Sequence, residues 1–230
     1  MPDALVIVAK APVVGQVKTR LSPPLSVAEA AELFRRFLTD TVARACTVPG
    51  VQVCLAFTPA DSEDLFRALL PFSLYYLPQR GNSLGERLVN IFVDLLHNGF
   101  TRVVIMDSDS PTLPMAYVRE AFTLLADPQY DAVFGPCSDG GYYLVGARAV
   151  HRELFENIAW STSQVLTQTR AQARMHGLSV ALLPSWYDVD TGADLHKLAA
   201  ELSRLGGRDG ALRTRAFLTQ LGLCPAEKRS

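Results

Sequence analysis

What this 230-residue chain lacks narrows its reading first. Its four cysteines, Cys46, Cys54, Cys137 and Cys224, stand far apart and form no C-x-x-C pair, which argues against a zinc knuckle or a dithiol redox motif. Reduced, buried thiols are the default for such spacing, a pattern that goes with the cytosol. No apolar run approaches the ~20 residues that a membrane-spanning helix needs. The apolar start, residues 4–9, is too short for a signal core and leads into Lys10 with no cleavage pattern. The expectation is a cytoplasmic protein with no membrane insertion. A surplus of one charge is also missing. With 22 basic and 23 acidic side chains the net charge is −1, so no basic field points to nucleic acid and no polybasic segment to an anionic membrane. Neither a Walker loop nor a G-x-G-x-x-G fingerprint occurs, and no repeat, low-complexity tract or linker divides the chain.

What is present is a well-stocked core. The chain is 49% hydrophobic and 20% charged, enough to bury a full interior. Its length suits one domain over residues 1–230, with a core at about 4–205 and a last helix at about 209–222. Apolar runs that read as strands fall at 4–9, 51–57, 74–77, 103–106, 132–134, 142–145 and 178–183. Helical spacing fills the gaps. Ser26 and Glu29 read as a capping box opening a helix to about Ala45, and Asp61 reads as the cap of a helix through Leu70. Further helices are expected at about 84–97, 115–126, 151–156, 163–176 (capped by Ser161 or Thr162), from Thr191 or Asp194 to 205, and 209–222. Gly206 and Gly207 read as a break, and the charged end as a frayed tail. This alternation predicts a largely parallel sheet covered by helices on both faces, a three-layer α/β/α sandwich.

The chemistry collects where strands meet loops. The apolar run 103–106 stops at Asp107-Ser108-Asp109, and Pro111 and Pro114 forbid an immediate helix. If the backbone stays extended, the two carboxylates point to one side, roughly 7 Å apart at Cα, and reach one divalent ion; the alternative is a solvated loop. After the first strand, residues 10–24 carry Lys10, Lys18 and Arg20 with no acid. Backbone N–H groups around Gly15 can cradle a phosphate that the cations neutralise, or the loop is simply basic and solvated. Gly81 and Gly85 in the segment 79–87 permit close approach by a flat ligand, or make an ordinary connection. Asp139-Gly140-Gly141 is a turn signal before Tyr142 to Val145, either an acceptor pocket or a plain hairpin with packed tyrosines. Trp160 is a core anchor or a lid. Asp188 and Asp190 are again acids at alternate positions, and Asp190 can complete a metal site begun by Asp109. Cations and a divalent metal beside diphosphate oxygens serve to neutralise a leaving phosphate.

Six segments taken together, KAPVVGQVKTRL at 10–21, LGER at 84–87, DSDSP at 107–111, DGGYYL at 139–144, WST at 160–162 and DVDT at 188–191, resemble the DUF2064 family of GT-A-type, glycosyltransferase-like proteins over about residues 4–200. Two positions depart from the family pattern without removing a charge: Val14 replaces a usual proline, and Cys137-Ser138 replace small residues. The resemblance implies a nucleotide-diphospho-sugar transferase fold with a mixed central sheet, and a metal, Mg²⁺ or Mn²⁺, at Asp109 and Asp107. The resulting assignment has Asp107, Asp109 and Asp190 on the metal. Ala9, Lys10, Ala11, Gly15, Lys18, Arg20, Asn82, Leu84, Gly85, Arg87, Asp107 and Ser108 surround the nucleotide. Asp139, Gly140, Gly141, Tyr142 and Trp160 face the sugar or acceptor. Asp139, Lys18 and Arg20 are the catalytic candidates. The expected activity is glycosyl transfer from a nucleotide-diphospho-sugar to a small-molecule acceptor. The rivals are a nucleotidyltransferase of the same fold, a haloacid-dehalogenase-type phosphatase with Asp107 as nucleophile, and a non-catalytic nucleotide-binding module. A homo-oligomer remains open, since the apolar face of the final helix serves either a dimer or its own core.

Overall fold

The computed structural model of the chain describes residues 2–205 and 210–225; the expected break at Gly206 and Gly207, the start of the last helix at 209 and the charged tail at 226–230 lie outside the described residues. Among the described residues seven strands and seven helices follow in the order β1 (Asp3–Lys10), α1 (Val27–Ala45), β2 (Val51–Thr58), α2 (Glu63–Leu69), β3 (Tyr75–Pro78), α3 (Leu84–His97), β4 (Val103–Met106), α4 (Met115–Ala126), β5 (Ala132–Pro136), β6 (Tyr142–Ala147), α5 (Val165–Met175), β7 (Val180–Leu182), α6 (Gly192–Leu205) and α7 (Leu212–Gln220). Short 3₁₀ turns occupy Thr19–Leu21, Ala60–Ser62 and Arg152–Phe155. Among the described residues no helix is long and apolar enough to cross a membrane.

The strands form one sheet in the order β3-β2-β1-β4-β6-β5-β7. All run parallel except β6, which is antiparallel to both β4 and β5. Strand–helix alternation alone predicts the parallel part, and the family resemblance the mixed character. The reversal has a local cause: residues 137–141 are too few for the crossover that a parallel neighbour demands, so β5 and β6 must close as a hairpin. Side chains alternate across the sheet. Leu5, Ile7, Leu55, Phe57, Val104 and Met106 pack under α1 and α4, while Ala4, Val6, Cys54, Ala56, Val103 and Ile105 pack against α3 and the Arg152–Phe155 turn. A third cluster joins α1 to α6 and α7 through Phe34, Phe37, Leu198, Leu202 and Leu218. Leu218 of the final helix packs on its own chain, whereas Leu212 at its start is exposed.

Helix starts follow the sequence closely in most places. Ser26 and Glu29 make the expected reciprocal capping box. Thr191 and Asp194 share the start of α6, each accepting a backbone N–H near the other. Asp61 is a correction: it lies in the Ala60–Ser62 turn, α2 begins at Glu63, and no side chain caps it. The strand expected over 178–183 shortens to β7, and α5 begins at Val165 with Gln164 at its N-cap position and no side-chain cap; Ser161 and Thr162, expected as caps, lie in the turn before it.

Because β1, β2, β3 and β4 are parallel, their carboxyl ends share one edge of the sheet, where ligands of open α/β folds collect. That edge presents Lys10, Thr58, Pro78 and Met106 and the loops beyond them. The 137–141 turn joins it from the antiparallel hairpin. Residues 184–190 run along this turn, with Trp186 N–H donating to the Pro136 carbonyl, Ser138 N–H to the Trp186 carbonyl and Val189 N–H to the Asp109 carbonyl. The acids near 190 thereby reach the acids near 107.

Candidate active site

The loop after β1 turns twice through left-handed backbone. Gly15 has φ +76, and a Cβ there would meet nothing within 4 Å. Lys18 has φ 49, which costs a non-glycine residue about 1–2 kcal/mol. The return for that strain is the position of its side chain. Lys18 Nζ lies 2.7 Å from Asp109 Oδ1 and 2.8 Å from Asp190 Oδ1. Its side chain is 5% exposed, whereas those of Asp109 and Asp190 are 36% and 40% exposed. Burial alone would lower the lysine pKa, but the two carboxylates outweigh it and hold the ammonium form well above its ordinary value. Arg20, largely exposed, stands 3.8 Å from the second oxygen of Asp190.

Asp107 and Asp109 do not sit side by side. β4 ends at Met106, and Asp107 Oδ1 accepts the backbone N–H groups of Asp109 (2.9 Å) and Ser110 (3.2 Å). Such an Asx-type turn bends the chain, so the extended geometry that would aim both carboxylates at one ion is not kept. Asp107 instead faces Asp188. Desolvation, then the charge of Asp188, then that of Asp109, pushes the Asp107 carboxyl well above the usual carboxylate range. Asp188 is raised as well, by desolvation and by Asp109. Burial and mutual repulsion thus favour the protonated form at both positions. Ser108 Oγ donates to the Val8 carbonyl (3.1 Å), tying the loop to β1, and Arg44 of α1 donates to the carbonyls of Pro111 and Leu113 on its far side.

Two cavities meet over this loop. The first, about 370 Å³, is lined by Val8, Ala9, Lys10, Lys18, Arg20 and Arg87, with Thr58, Gln79, Ser108, Asp109 and Asp190. Its cations are Lys10, Lys18, Arg20 and Arg87. The second, about 720 Å³, is lined by Asp109, Asp139, Asp188, Asp190 and Asp194, by Ser138, Ser161, Thr162 and Ser163, and by Tyr142 and Trp160, with Arg20 its one basic side chain among the lining residues. Arg20, Leu84, Asp109 and Asp190 belong to both walls.

Most sequence-chosen residues gather here, and some do not. Ala11 is buried and Asn82 is exposed, its N–H donated to Glu86; neither lines the first cavity, nor do Gly15, Gly85 and Asp107. At Gly85 the close approach is made by protein, since a Cβ would lie 2.8 Å from the Phe155 carbonyl and 3.1 Å from the Trp160 ring. Gly140 (φ +94) likewise meets the Ser163 carbonyl. Asp139 Oδ1 accepts the Gly141 N–H at 2.8 Å and so fixes the turn while remaining in the second cavity. Trp160 is half-buried edge-on to Tyr142, at 6.3 Å between ring centroids. Thr58, Cys137 and Asp188 also line the cavities, although no motif gives them a role; the carboxyl-end rule for parallel strands is the signal that picks out Thr58.

Asp109 and Asp190 already converge on one cation, the Lys18 ammonium, and their hard carboxylate oxygens suit Mg²⁺ or Mn²⁺. Cys137, Asp139 and Asp188 also bring one ligand atom each within 4.8 Å of the others. There, however, one of the three ligands is a thiol, a soft donor that suits Zn²⁺ better than Mg²⁺ or Mn²⁺. The carboxylates nearest Lys18 are the better fit.

Residues 41–162 match a family model described as an uncharacterized protein conserved in bacteria, DUF2064. A protein of Desulfovibrio desulfuricans G20, described as a candidate nucleotide-diphospho-sugar transferase, is 33% identical over 96% of each chain, with a TM-score of 0.88. More distant in sequence are CMP:2-keto-3-deoxy-manno-octonic acid synthetase complexed with CTP (16% identity, 88% of this chain and 99% of that one, TM-score 0.56) and the manganese complex of Rv0371c from Mycobacterium tuberculosis H37Rv (16%, 86% and 98%, TM-score 0.51). These two share the fold, a mostly parallel mixed sheet between helices. No curated protein matches the chain.

Proposed function

The chain belongs to the DUF2064 family, and from that premise we propose that it is a metal-dependent glycosyltransferase that takes a sugar from a nucleotide-diphospho-sugar and gives it to a small-molecule hydroxyl acceptor. The observation that carries this reading is the common wall of the two cavities. One side of Asp109 and Asp190 is lined by Lys10, Lys18, Arg20 and Arg87; the other is lined by carboxylates and hydroxyls. A diphosphate fits the first and an uncharged polyol the second, because carboxylates accept hydroxyl hydrogens and repel a phosphomonoester. The bond to be broken, between diphosphate and sugar, then falls at the shared wall.

In this arrangement Lys10, Lys18, Arg20 and Arg87 bind the phosphate oxygens and offset the charge that grows on the departing diphosphate. A Mg²⁺ or Mn²⁺ ion held by Asp109 and Asp190 would add electrostatic stabilisation of the same charge. The nucleoside lies toward Thr58, Gln79 and Arg87. Gln79 Nε2 donates to the Ala56 carbonyl at 2.8 Å, which leaves its amide oxygen to accept from the base. Asp139, anchored by one N–H, keeps an oxygen free to bind the acceptor hydroxyl and take its proton. Asp107 and Asp188 shape the loop and stay out of the transfer.

Four cations in one cavity are the observation that favours the second reading, nucleotidyl transfer from a nucleoside triphosphate; a synthetase of like fold is complexed with CTP. One experiment separates the two. The protein with Mn²⁺ is given a panel of nucleotide-sugars and nucleoside triphosphates with candidate acceptors. Release of nucleoside diphosphate from a nucleotide-sugar is expected; release of pyrophosphate from a triphosphate overturns the proposal in favour of the second reading.

A further inference from the structure

Lys18 occupies the point at which the two metal-binding carboxylates meet. From this we propose that Lys18 is an interlock: its ammonium group holds the cation position between Asp109 and Asp190 until donor phosphate draws it away, so divalent metal enters together with the donor and not before it. The inference rests on the metal and diphosphate reading above and adds an order of events to it.

Charge and geometry argue for exchange over coexistence. With Lys18 in place the trio carries two negative charges and one positive. Adding a divalent ion at the same carboxylates would leave three positive charges against two, with two cations crowded at the same pair of oxygens. Phosphate oxygens remove that excess, since they attract both the ion and the lysine. The carboxylates are already gathered at N···O distances of 2.7 and 2.8 Å, and oxygen ligands lie about 2.0–2.1 Å from Mg²⁺. Each therefore needs to move by well under about 1 Å once the lysine has gone. Access is one-sided. The lysine side chain is 5% exposed and approaches from the protein, whereas both acids are more than a third exposed and open onto the cavities. A competing cation can approach them from solvent, but it must displace a buried ammonium to be held. Lys18 has somewhere to go, because Lys10, Arg20 and Arg87 line the same cavity and would share the incoming phosphates with it.

The test is Mn²⁺ binding, read from the loss of the free-ion EPR signal, on the full chain with no donor. Wild type is expected to bind Mn²⁺ at least tenfold more weakly than Lys18→Met, while Lys18→Arg, which keeps a cation between the acids, stays as weak as wild type. Adding Asp109→Asn to Lys18→Met should abolish the gain. Equal measurable Mn²⁺ binding by wild type and Lys18→Met, firm or weak, overturns the interlock and leaves the metal reading standing. No Mn²⁺ binding by either protein, alone or with nucleotide-sugars, overturns both. Should Lys18→Met not fold, wild type decides alone: Mn²⁺ retained with the protein on ultrafiltration is expected only when inorganic pyrophosphate is present, and equal retention without it overturns the interlock.

Discussion

Ser110 Oγ lies 2.8 Å from Asp188 Oδ1 and 3.1 Å from the Tyr187 carbonyl, so the loop after β4 is stitched to the segment after β7. The stitch brings Asp188 against Asp107 and makes the pair responsive to pH. Both carboxyls have folded pKa values above the ordinary range, whereas in the unfolded chain an aspartate titrates near about 3.9. The native state therefore keeps a proton that the unfolded state has released. Stability from this source is full below about pH 4 and is lost as the pH climbs through the raised values. Wild type should melt at a lower temperature at pH 8 than at pH 5. Asp188→Asn, which removes one charge of the pair, should flatten that slope and raise the pH 8 midpoint. Melting curves from pH 5 to 8 check this, with about 2–4 °C expected per kcal/mol in a chain of this size. Parallel curves for the two proteins would show that the pair does not share a proton.

Gly140→Ala should destabilise the hairpin severely. A Cβ there would stand 2.2 Å from the Ser163 carbonyl oxygen on a backbone at φ +94, and the Gly140 carbonyl accepts the N–H of Leu166 in the first turn of α5. Steric overlap and an unfavourable φ together cost about 2–4 kcal/mol. Gly177→Ala is the control, with φ +67 but nothing within 4 Å of the added atom; about 1 kcal/mol is expected there. Urea midpoints for the two variants should differ accordingly.

Arg44 is the far anchor of the acidic loop. Its guanidinium spans the carbonyls of Pro111 and Leu113, a fork that a lysine cannot reproduce. Arg44→Lys should cost about 1–3 kcal/mol and loosen the turn that Asp107 holds. The amides of Asp109 and Ser110 are the place to look. Hydrogen exchange there should quicken in the variant, while the strand amides of β1 and β2 keep their protection.

How far the sequence reached depends on whether the cause was local. Periodicity located the helices, and the Ser26–Glu29 capping box formed because it acts within one turn; the caps expected at Asp61 and at Ser161 or Thr162 did not form, because the chain turns between those residues and the helices they were to open. The clustering of loops at one sheet edge was legible too, since it follows from parallel strands. What escaped was the pairing of side chains across the site. The spacing of Asp107 and Asp109 suggested a shared ion only on the premise of extended backbone, and the hydrogen bonds from Asp109 N–H and Ser110 N–H to Asp107 remove that premise. Lys18 was expected at phosphate, but its place between Asp109 and Asp190 joins segments separated by about ninety and one hundred and seventy residues. No local pattern encodes such a contact; it follows from the way residues 184–190 run along the 137–141 turn. The tight fit of Gly85 against Trp160 was hidden for the same reason.

Asp109 and Asp139 face the same acidic cavity yet should fail in different ways when changed to asparagine. Asp109 is half-exposed, ion-paired with Lys18 and directed at the cation position. A carboxamide there cannot supply the negative charge that a hard divalent ion needs. Asp109→Asn should thus lose the rise in melting temperature that Mn²⁺ and a nucleotide donor produce together, since a ligand stabilises only the state that binds it. Asp139 sits on an exposed turn and spends one oxygen on the Gly141 N–H. An asparagine can keep that hydrogen bond through its carbonyl oxygen but cannot take a proton. Asp139→Asn should therefore retain the metal-dependent thermal shift and lose turnover by about 10²–10⁴-fold, the span of general base catalysis. If Asp139→Asn turned over normally, another group would have to take the acceptor proton. If Asp109→Asn kept the full thermal shift, the metal would have to bind elsewhere, and the acids around Cys137 would be the next place to test.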